Sequence, residues 1–196
     1  MSFFNKQFFA GMAAGIALTF VILIAAVFVG SYFFVKNMPE GILSSTPQPP
    51  EFPAGIGQVS LGSVDSTWTF EGIDGTAVRM SQLRGRVVFL NMWATWCKPC
   101  REELPSIQNL HDQIAGLGVE FVLLSQESRE KVQSYLRDND VGVPCYVSDG
   151  GIPTLLKSSA LPTTFIIDTQ GRVVFRHVGL ARWDSQECRS FIESLL

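Results

Sequence analysis

Trp93-Ala94-Thr95-Trp96-Cys97-Lys98-Pro99-Cys100 follows the apolar run Val87-Val88-Phe89-Leu90-Asn91-Met92 and leads into a helical pattern. Two cysteines separated by two residues therefore stand where a buried strand turns into a helix. A helix start presents unpaired backbone N–H groups and a partial positive charge, so a thiol there ionises below the free value of about 8.5. Cys97, at the helix mouth, is the expected thiolate. Cys100 lies one turn further on the same face, within reach of Cys97 for a small disulfide ring. A structural disulfide and half of a zinc site are the competing readings. Zinc requires four ligands, usually a second cysteine pair or paired histidines, and neither accompanies this pair. The order strand, cysteine pair, helix is the setting of dithiol–disulfide exchange.

The 196 residues suffice for one ordinary domain plus an appendage. A hydrophobic share of 46% and a mean hydropathy of +0.22 are high for a wholly soluble chain and assign some apolar mass to a membrane. The net charge of -3 and the absence of a basic cluster exclude a phosphate-tracking surface, and with it nucleic acid as a partner. Four cysteines, Cys97, Cys100, Cys145 and Cys188, are too few and too scattered for a disulfide-stapled scaffold.

Residues 1–36 form the expected anchor. The uncharged apolar run 8–35, between Lys6 and Lys36, exceeds the ~20 residues of a spanning helix. It is also too long for the h-region of a cleaved signal peptide. One lysine flanks each end, and the terminal amine tips the orientation towards a cytoplasmic N-terminus with the C-terminal domain outside. Gly11-Met12-Ala13-Ala14-Gly15 matches the small-xxx-small packing motif, which leaves homodimerisation open. Residues 37–56, rich in proline, serine and glycine, read as a semi-rigid spacer.

The folded domain spans 57–196. Trp68-Thr69-Phe70 and Ala77-Val78-Arg79 pair across an Asp74-Gly75 turn as a hairpin. Ser81 is read as the cap of a short helical turn. Strand 87–92 is apolar on both faces, as in the middle of a sheet covered by helices on both sides. Leu104, Ile107, Leu110, His111 and Ile114 have helical spacing, with a kink expected at Pro105. Then follow strand 119–125, helix 128–138, strand 144–147, a short helix over 152–158, strands 163–167 and 173–177, and a final helix over 183–196. The pattern is an α/β fold with a central sheet of mixed strand direction.

A thiol-exchange site needs a loop beside the cysteines to hold a substrate strand. Pro153 and Pro162 compete for it. Pro153 fits the first turn of a helix, whereas Pro162 leads straight into a strand, so its loop faces the cysteine pair and a cis Leu161-Pro162 bond is expected. Glu103 is three residues after Cys100 on the same helical face. It either exchanges protons with a thiol or supplies favourable charge in the first helical turns. Asn91 sits in the strand below, but an amide does not titrate. Trp96 and Pro99 are expected to rim an exposed Cys97 sulfur, and Trp93 to belong to the core. Lys98 adds positive charge that favours the Cys97 thiolate. His111, His177, Cys145 and Cys188 read as structural, a Cys145–Cys188 disulfide being the alternative for the last two.

From about 70 to 196 the chain resembles the TlpA and ResA type of membrane-anchored, extracytoplasmic thiol-disulfide oxidoreductases of thioredoxin-like fold. The resemblance rests on Asp74-Gly75, Leu83-Arg84-Gly85, Asn91 to Cys100, Glu103, Pro105, Leu161-Pro162-Thr163-Thr164-Phe165 and Val178-Gly179. It implies Cys97 as attacking thiol, Cys100 as resolving thiol, Pro162 as a cis-proline and Glu103 as the acid that adjusts thiol reactivity. Leu161 and Thr163 then join Trp96 and Pro99 in holding substrate. It further implies an N-terminal hairpin extension and a helix–strand insertion over 128–147 relative to plain thioredoxin. No cofactor beyond the Cys97–Cys100 disulfide and no metal are implied. Partners would be disulfide-bearing exported proteins, such as apocytochrome c, and a membrane electron donor of the CcdA or DsbD kind. A thiol oxidase is the rival within the same chemistry. A copper-binding assembly factor using Cys97, Cys100 and His177 usually has three residues between its cysteines, and a peroxidase would need a threonine and proline before a lone cysteine.

Overall fold

The computed structural model describes residues 6–36, 47–52, 60–148 and 151–196, with side chains in the first stretch described at Ile16, 18–34 and Lys36. The chain divides into two units, Met1–Thr46 and Pro47–Leu196. In the first, α1 (Lys6–Lys36) is a helix of 31 residues, and its large apolar side chains from Ile16 to Phe34 are exposed. Among the described residues no helix is long and apolar enough to cross a membrane. The small-residue motif at 11–15 lies outside the residues whose side chains are described, as do the spacer positions 37–46 and 53–56.

The second unit is built on an eight-stranded sheet in the order β1-β8-β7-β4-β5-β6-β2-β3. In chain order these are β1 (Gly62–Ser63), β2 (Thr69–Gly72), β3 (Ala77–Arg79), β4 (Val87–Trp93), β5 (Val119–Ser125), β6 (Cys145–Val147), β7 (Thr163–Ile167) and β8 (Arg172–Val178). β4 runs parallel to β5 and antiparallel to β7, which gives the mixed sheet. The helices are α2 (Lys98–Ile114), α3 (Arg129–Asp138) and α4 (Gln186–Glu193). Gly75 takes φ +88 in the β2–β3 turn, the left-handed conformation for which the Asp-Gly pair is suited.

Every residue of β4 is buried. Its period-2 alternation sends Val87, Phe89 and Trp93 into a core with Leu104, Ile107, Leu110, Val132 and Ile192 of the three helices. Val88, Leu90 and Met92 face the other way, against Trp68, Phe70, Met80, Leu83 and Leu156. That second face is covered by the hairpin segment and two 3-10 turns, Met80–Leu83 and Thr154–Leu156, where helices on both sides were expected.

Three further expectations are corrected. Ser81 does not cap its turn: Arg79 occupies the cap position, and its N–H donates to Gln82 Oε1 at 2.7 Å. The helix anticipated over 152–158 shrinks to the Thr154–Leu156 turn, because Pro153 stands outside it with extended backbone, φ -53 and ψ 143. The last helix starts at Gln186, not at Trp183, because the Ser185 side chain accepts the Cys188 N–H and caps it there. α2 runs through Pro105 as one helix.

The end of the expected spacer is part of the folded unit. The Gln48 carbonyl accepts the Arg182 N–H at 2.9 Å, and Phe52 lies 4.7 Å from both the Phe175 and Phe191 rings, centroid to centroid. Removing this aromatic contact by Phe52→Ala is expected to cost roughly 1–3 kcal/mol. Urea denaturation of the full-length protein would show it as a lower midpoint at unchanged slope, and an unmoved midpoint would mean the strap adds nothing.

Candidate active site

β4 delivers the chain into the tight loop 94–97, where the Cys97 N–H donates to the Ala94 carbonyl at 3.0 Å. Cys97 then takes the N-cap position of α2 with Pro99 in the first turn. Its sulfur accepts the Cys100 N–H at 3.2 Å, so one donor of the helix mouth points at Sγ, where it favours a thiolate. In this structure the two sulfurs are joined as a disulfide, with the Cα atoms 5.3 Å apart.

Trp96 is 65% exposed and Pro99 is exposed beside it. Cys97 is only 4% exposed, not the open sulfur anticipated. As a disulfide it is uncharged and apolar, and it joins the core on which Leu161 packs. Lys98 is exposed and its Nζ sits 3.6 Å from Glu102 across one helical turn, so part of its charge is answered at the surface.

The Leu161-Pro162 peptide is cis. Met92 pairs with Thr163 and Asn91 with Thr164, which places Pro162 at the same end of the sheet as the loop that carries Cys97. The Pro162 carbonyl accepts the Gly179 N–H at 2.9 Å. Thr163 is buried, and its hydroxyl lies 2.8 Å from both the Ala160 carbonyl and Ser158 Oγ; its side chain shapes the loop from within. Leu161 and Trp96 are the apolar lips of a groove of about 190 Å³ whose polar wall is Gln126 and Glu127.

Glu103 is 1% exposed. Its Oε1 accepts from Asn91 Nδ2 at 2.7 Å, and its Oε2 from Trp183 Nε1 at 3.1 Å and from the Ala181 N–H at 3.3 Å. Burial pushes the carboxyl up to about 7, against the pull of those donors. A carboxyl that titrates near neutrality beside a redox cysteine pair is fit for proton exchange in either direction. Asn91 also donates to Thr164 Oγ1 at 2.9 Å, and so ties the acid to the strand that follows the cis-proline.

A second acid reaches the loop from the β5–α3 connection. Glu127 accepts the Thr95 N–H at 2.6 Å and the Thr95 hydroxyl at 3.0 Å, and pairs with Lys131 at 2.5 Å. Burial pushes its carboxyl up, but the hydrogen bonds from Lys131 and Thr95 outweigh this and hold it below the usual range. Arg101 donates to the Thr95 carbonyl at 3.1 Å, so the residue two before Cys97 is gripped from both sides. Glu127, Ala181 and Trp183 escaped the sequence reading. For Glu127 one signal existed, an acid at the C-terminal end of a parallel strand, where sites in α/β sheets gather. For Trp183 there was none.

The remaining candidates stand outside the hydrogen bonds just described. Cys145 and Cys188 are free and buried, the first with its thiol pushed up to about 12 by burial and the second raised for the same reason. His111 sits 3.2 Å from Asp112. His177 lies on the Trp183 ring at 5.7 Å, and burial depresses its pKa. Among the described residues no group of three His, Cys, Asp or Glu side chains is placed to hold a metal.

The sequence profile of the AhpC/TSA family matches residues 64–176. The thiol-disulfide oxidoreductase ResA of Bacillus subtilis is 35% identical over 123 residues, 62% of this chain and 69% of that protein. The thioredoxin-like protein YneN of the same organism is 31% identical over 125 residues, 62% of this chain and 73% of its own. Among solved structures, one from Chlorobium tepidum, provisionally assigned as the thiol:disulfide interchange protein DsbE, is 27% identical. It covers 70% of this chain and 100% of its own, with a TM-score of 0.60. Relatives of this kind, together with a cysteine pair closed as a disulfide at a helix mouth, make the protein a protein disulfide oxidoreductase. The chain belongs to the AhpC/TSA family, on its thioredoxin-like branch of ResA-type thiol-disulfide oxidoreductases.

Proposed function

We propose that the protein is a membrane-tethered, extracytoplasmic reductase of disulfides in exported proteins. The observation that carries this is the Cys97–Cys100 pair at the mouth of α2, beside the cis Leu161-Pro162 loop and above the buried Glu103. In the reduced protein the Cys97 thiolate attacks a substrate disulfide, one substrate sulfur leaves as thiolate, and a mixed disulfide remains. The Glu103 carboxylate takes the proton of Cys100, whose thiolate attacks Cys97 Sγ and releases the second substrate sulfur. Two electrons pass to the substrate, and the protein is left as the Cys97–Cys100 disulfide. Trp96, Pro99, Leu161 and the backbone at Thr163 are the proposed substrate contacts, with Lys98 favouring the thiolate.

In an oxidising compartment that disulfide must be reduced again, by a membrane dithiol donor of the CcdA or DsbD kind. Apocytochrome c is the substrate class implied by the family resemblance. Support for the tether comes from the uncharged run 8–35 within a 31-residue helix, which at 1.5 Å per residue is about 46 Å long.

The direction of electron flow is read by the reduction potential of the full-length protein in glutathione or dithiothreitol buffers. The expected value lies near or below that of thioredoxin, about -270 mV. A value near that of a strong oxidant, about -120 mV, would replace the reductase with a thiol oxidase of the same fold.

A further inference from the structure

Trp183 is fully buried and is bound to α2 at two points. Its backbone N–H donates to Ser106 Oγ at 3.1 Å, and that hydroxyl donates to the Glu103 carbonyl at 2.8 Å. Its indole N–H donates to Glu103 Oε2 at 3.1 Å. Phe89, Phe175 and His177 surround the ring edge-to-face at 5.1, 6.5 and 5.7 Å, so the indole has little freedom to turn away.

We propose that Trp183 is a positioning residue for thiol exchange: its indole N–H holds Glu103 Oε2 and thereby sets the pH at which that carboxyl gives up and takes back its proton. This rests on the role given to Glu103 above. An indole and a backbone amide are donors only. Oε2, which faces both, is stabilised as the charged oxygen and disfavoured as the site of the proton. Oε1 faces the side-chain amide of Asn91, whose Oδ1 is buried and has no hydrogen-bond partner. When Glu103 is protonated at Oε1, that amide can turn and accept the proton's hydrogen bond.

Among the described residues, few other titratable groups stand around Glu103. β4 and β7 contribute none. At the start of α2 Cys97 and Cys100 do not titrate while joined as the disulfide, β8 contributes His177, and in the connection to α4 Arg182 is paired with Asp184 at 2.8 Å. The indole N–H is therefore a principal local influence on the carboxylate.

The test is a carbon-13 titration of the Glu103 carboxyl in the oxidised full-length protein, run beside the pH profile of its thiol exchange, for wild type and Trp183→Phe. Phenylalanine keeps a ring in the cage and loses the donor. Hydrogen bonds to charged groups are strong enough that the Glu103 midpoint should rise by about one unit, with the acid limb of the exchange profile moving alongside. Should Trp183→Phe fold poorly, the wild-type indole N–H resonance serves instead and should titrate with the Glu103 midpoint. An unmoved midpoint in the variant, or an indole signal blind to Glu103, overturns the proposal and leaves the role of Glu103 standing. A midpoint that moves while the exchange profile does not overturns the role of Glu103, and this proposal with it.

Discussion

Cys100→Ser turns the protein into a trap. Cys97 still attacks a substrate disulfide, but without an internal thiol the mixed disulfide waits for an external one. Neighbouring groups held in place react at effective concentrations far above any thiol in solution, so turnover should fall on the order of a thousand-fold or more while adducts through Cys97 accumulate. Non-reducing electrophoresis and mass spectrometry of the full-length variant with a disulfide-bearing protein would show this directly. Serine fits the fully buried position of Cys100 as a near isostere, so a folding defect should not cloud the result. Adducts that form instead in Cys97→Ser, through Cys100, would reverse the assigned roles.

The second large effect concerns Glu103. Its pKa rises from 4.5 to about 7 on folding, so between those values the folded state holds more proton than the unfolded state. Stability from this group is fully present below pH 4.5 and is lost as pH rises through 7. The burial of the ionised carboxylate thus costs about 3 kcal/mol at pH 8. Glu103→Gln removes that titration. The Gln oxygen still accepts from Trp183 and Ala181, and the unpartnered Asn91 Oδ1 can receive its amide N–H.

The variant should therefore be more stable than wild type at pH 8 by up to about 3 kcal/mol, at most roughly 6–12 °C in midpoint for a domain of this size. It should also lose the fall in stability towards pH 7, leaving only the gentle rise that the depressed pKa of His177 produces over the same range. Its thiol exchange should slow by about a hundred-fold near neutrality, the scale of a lost general acid–base group. Calorimetry across that pH range checks the first effect and stopped-flow exchange the second. A wild-type slope that persists in Glu103→Gln would place the titrating group elsewhere. Greater stability with impaired chemistry is the pattern of a strained active-site group.

Short-range pattern was enough for much of this protein. Strands 119–125 and 163–167 match their observed bounds, since both alternate or saturate with apolar residues between clear turn signals. The Asp74-Gly75 turn, the placement of Cys97 and Cys100 across one helical turn, and the choice of Pro162 over Pro153 follow from local chemistry of the backbone. What the pattern misjudged was ends and coverings: the start of α4, the extent of the 152–158 segment, and the face of the sheet closed by 3-10 turns. Those depend on which of several weak caps wins once neighbours are packed.

The redox pair and the site of the cis-proline were thus determined by the sequence alone, because each is encoded within a few consecutive residues, and the fold class by the order of strands and helices along the chain. Only the tertiary structure decided the environment of the chemistry. Trp183 reaches Glu103 from 80 positions along the chain, Glu127 grips Thr95 across 32, and Phe52 docks on Phe175 and Phe191 from within a proline-rich stretch. Burial and hydrogen bonding between distant segments have no local signature, and they are what lift a carboxyl to neutrality and hold the loop that carries Cys97.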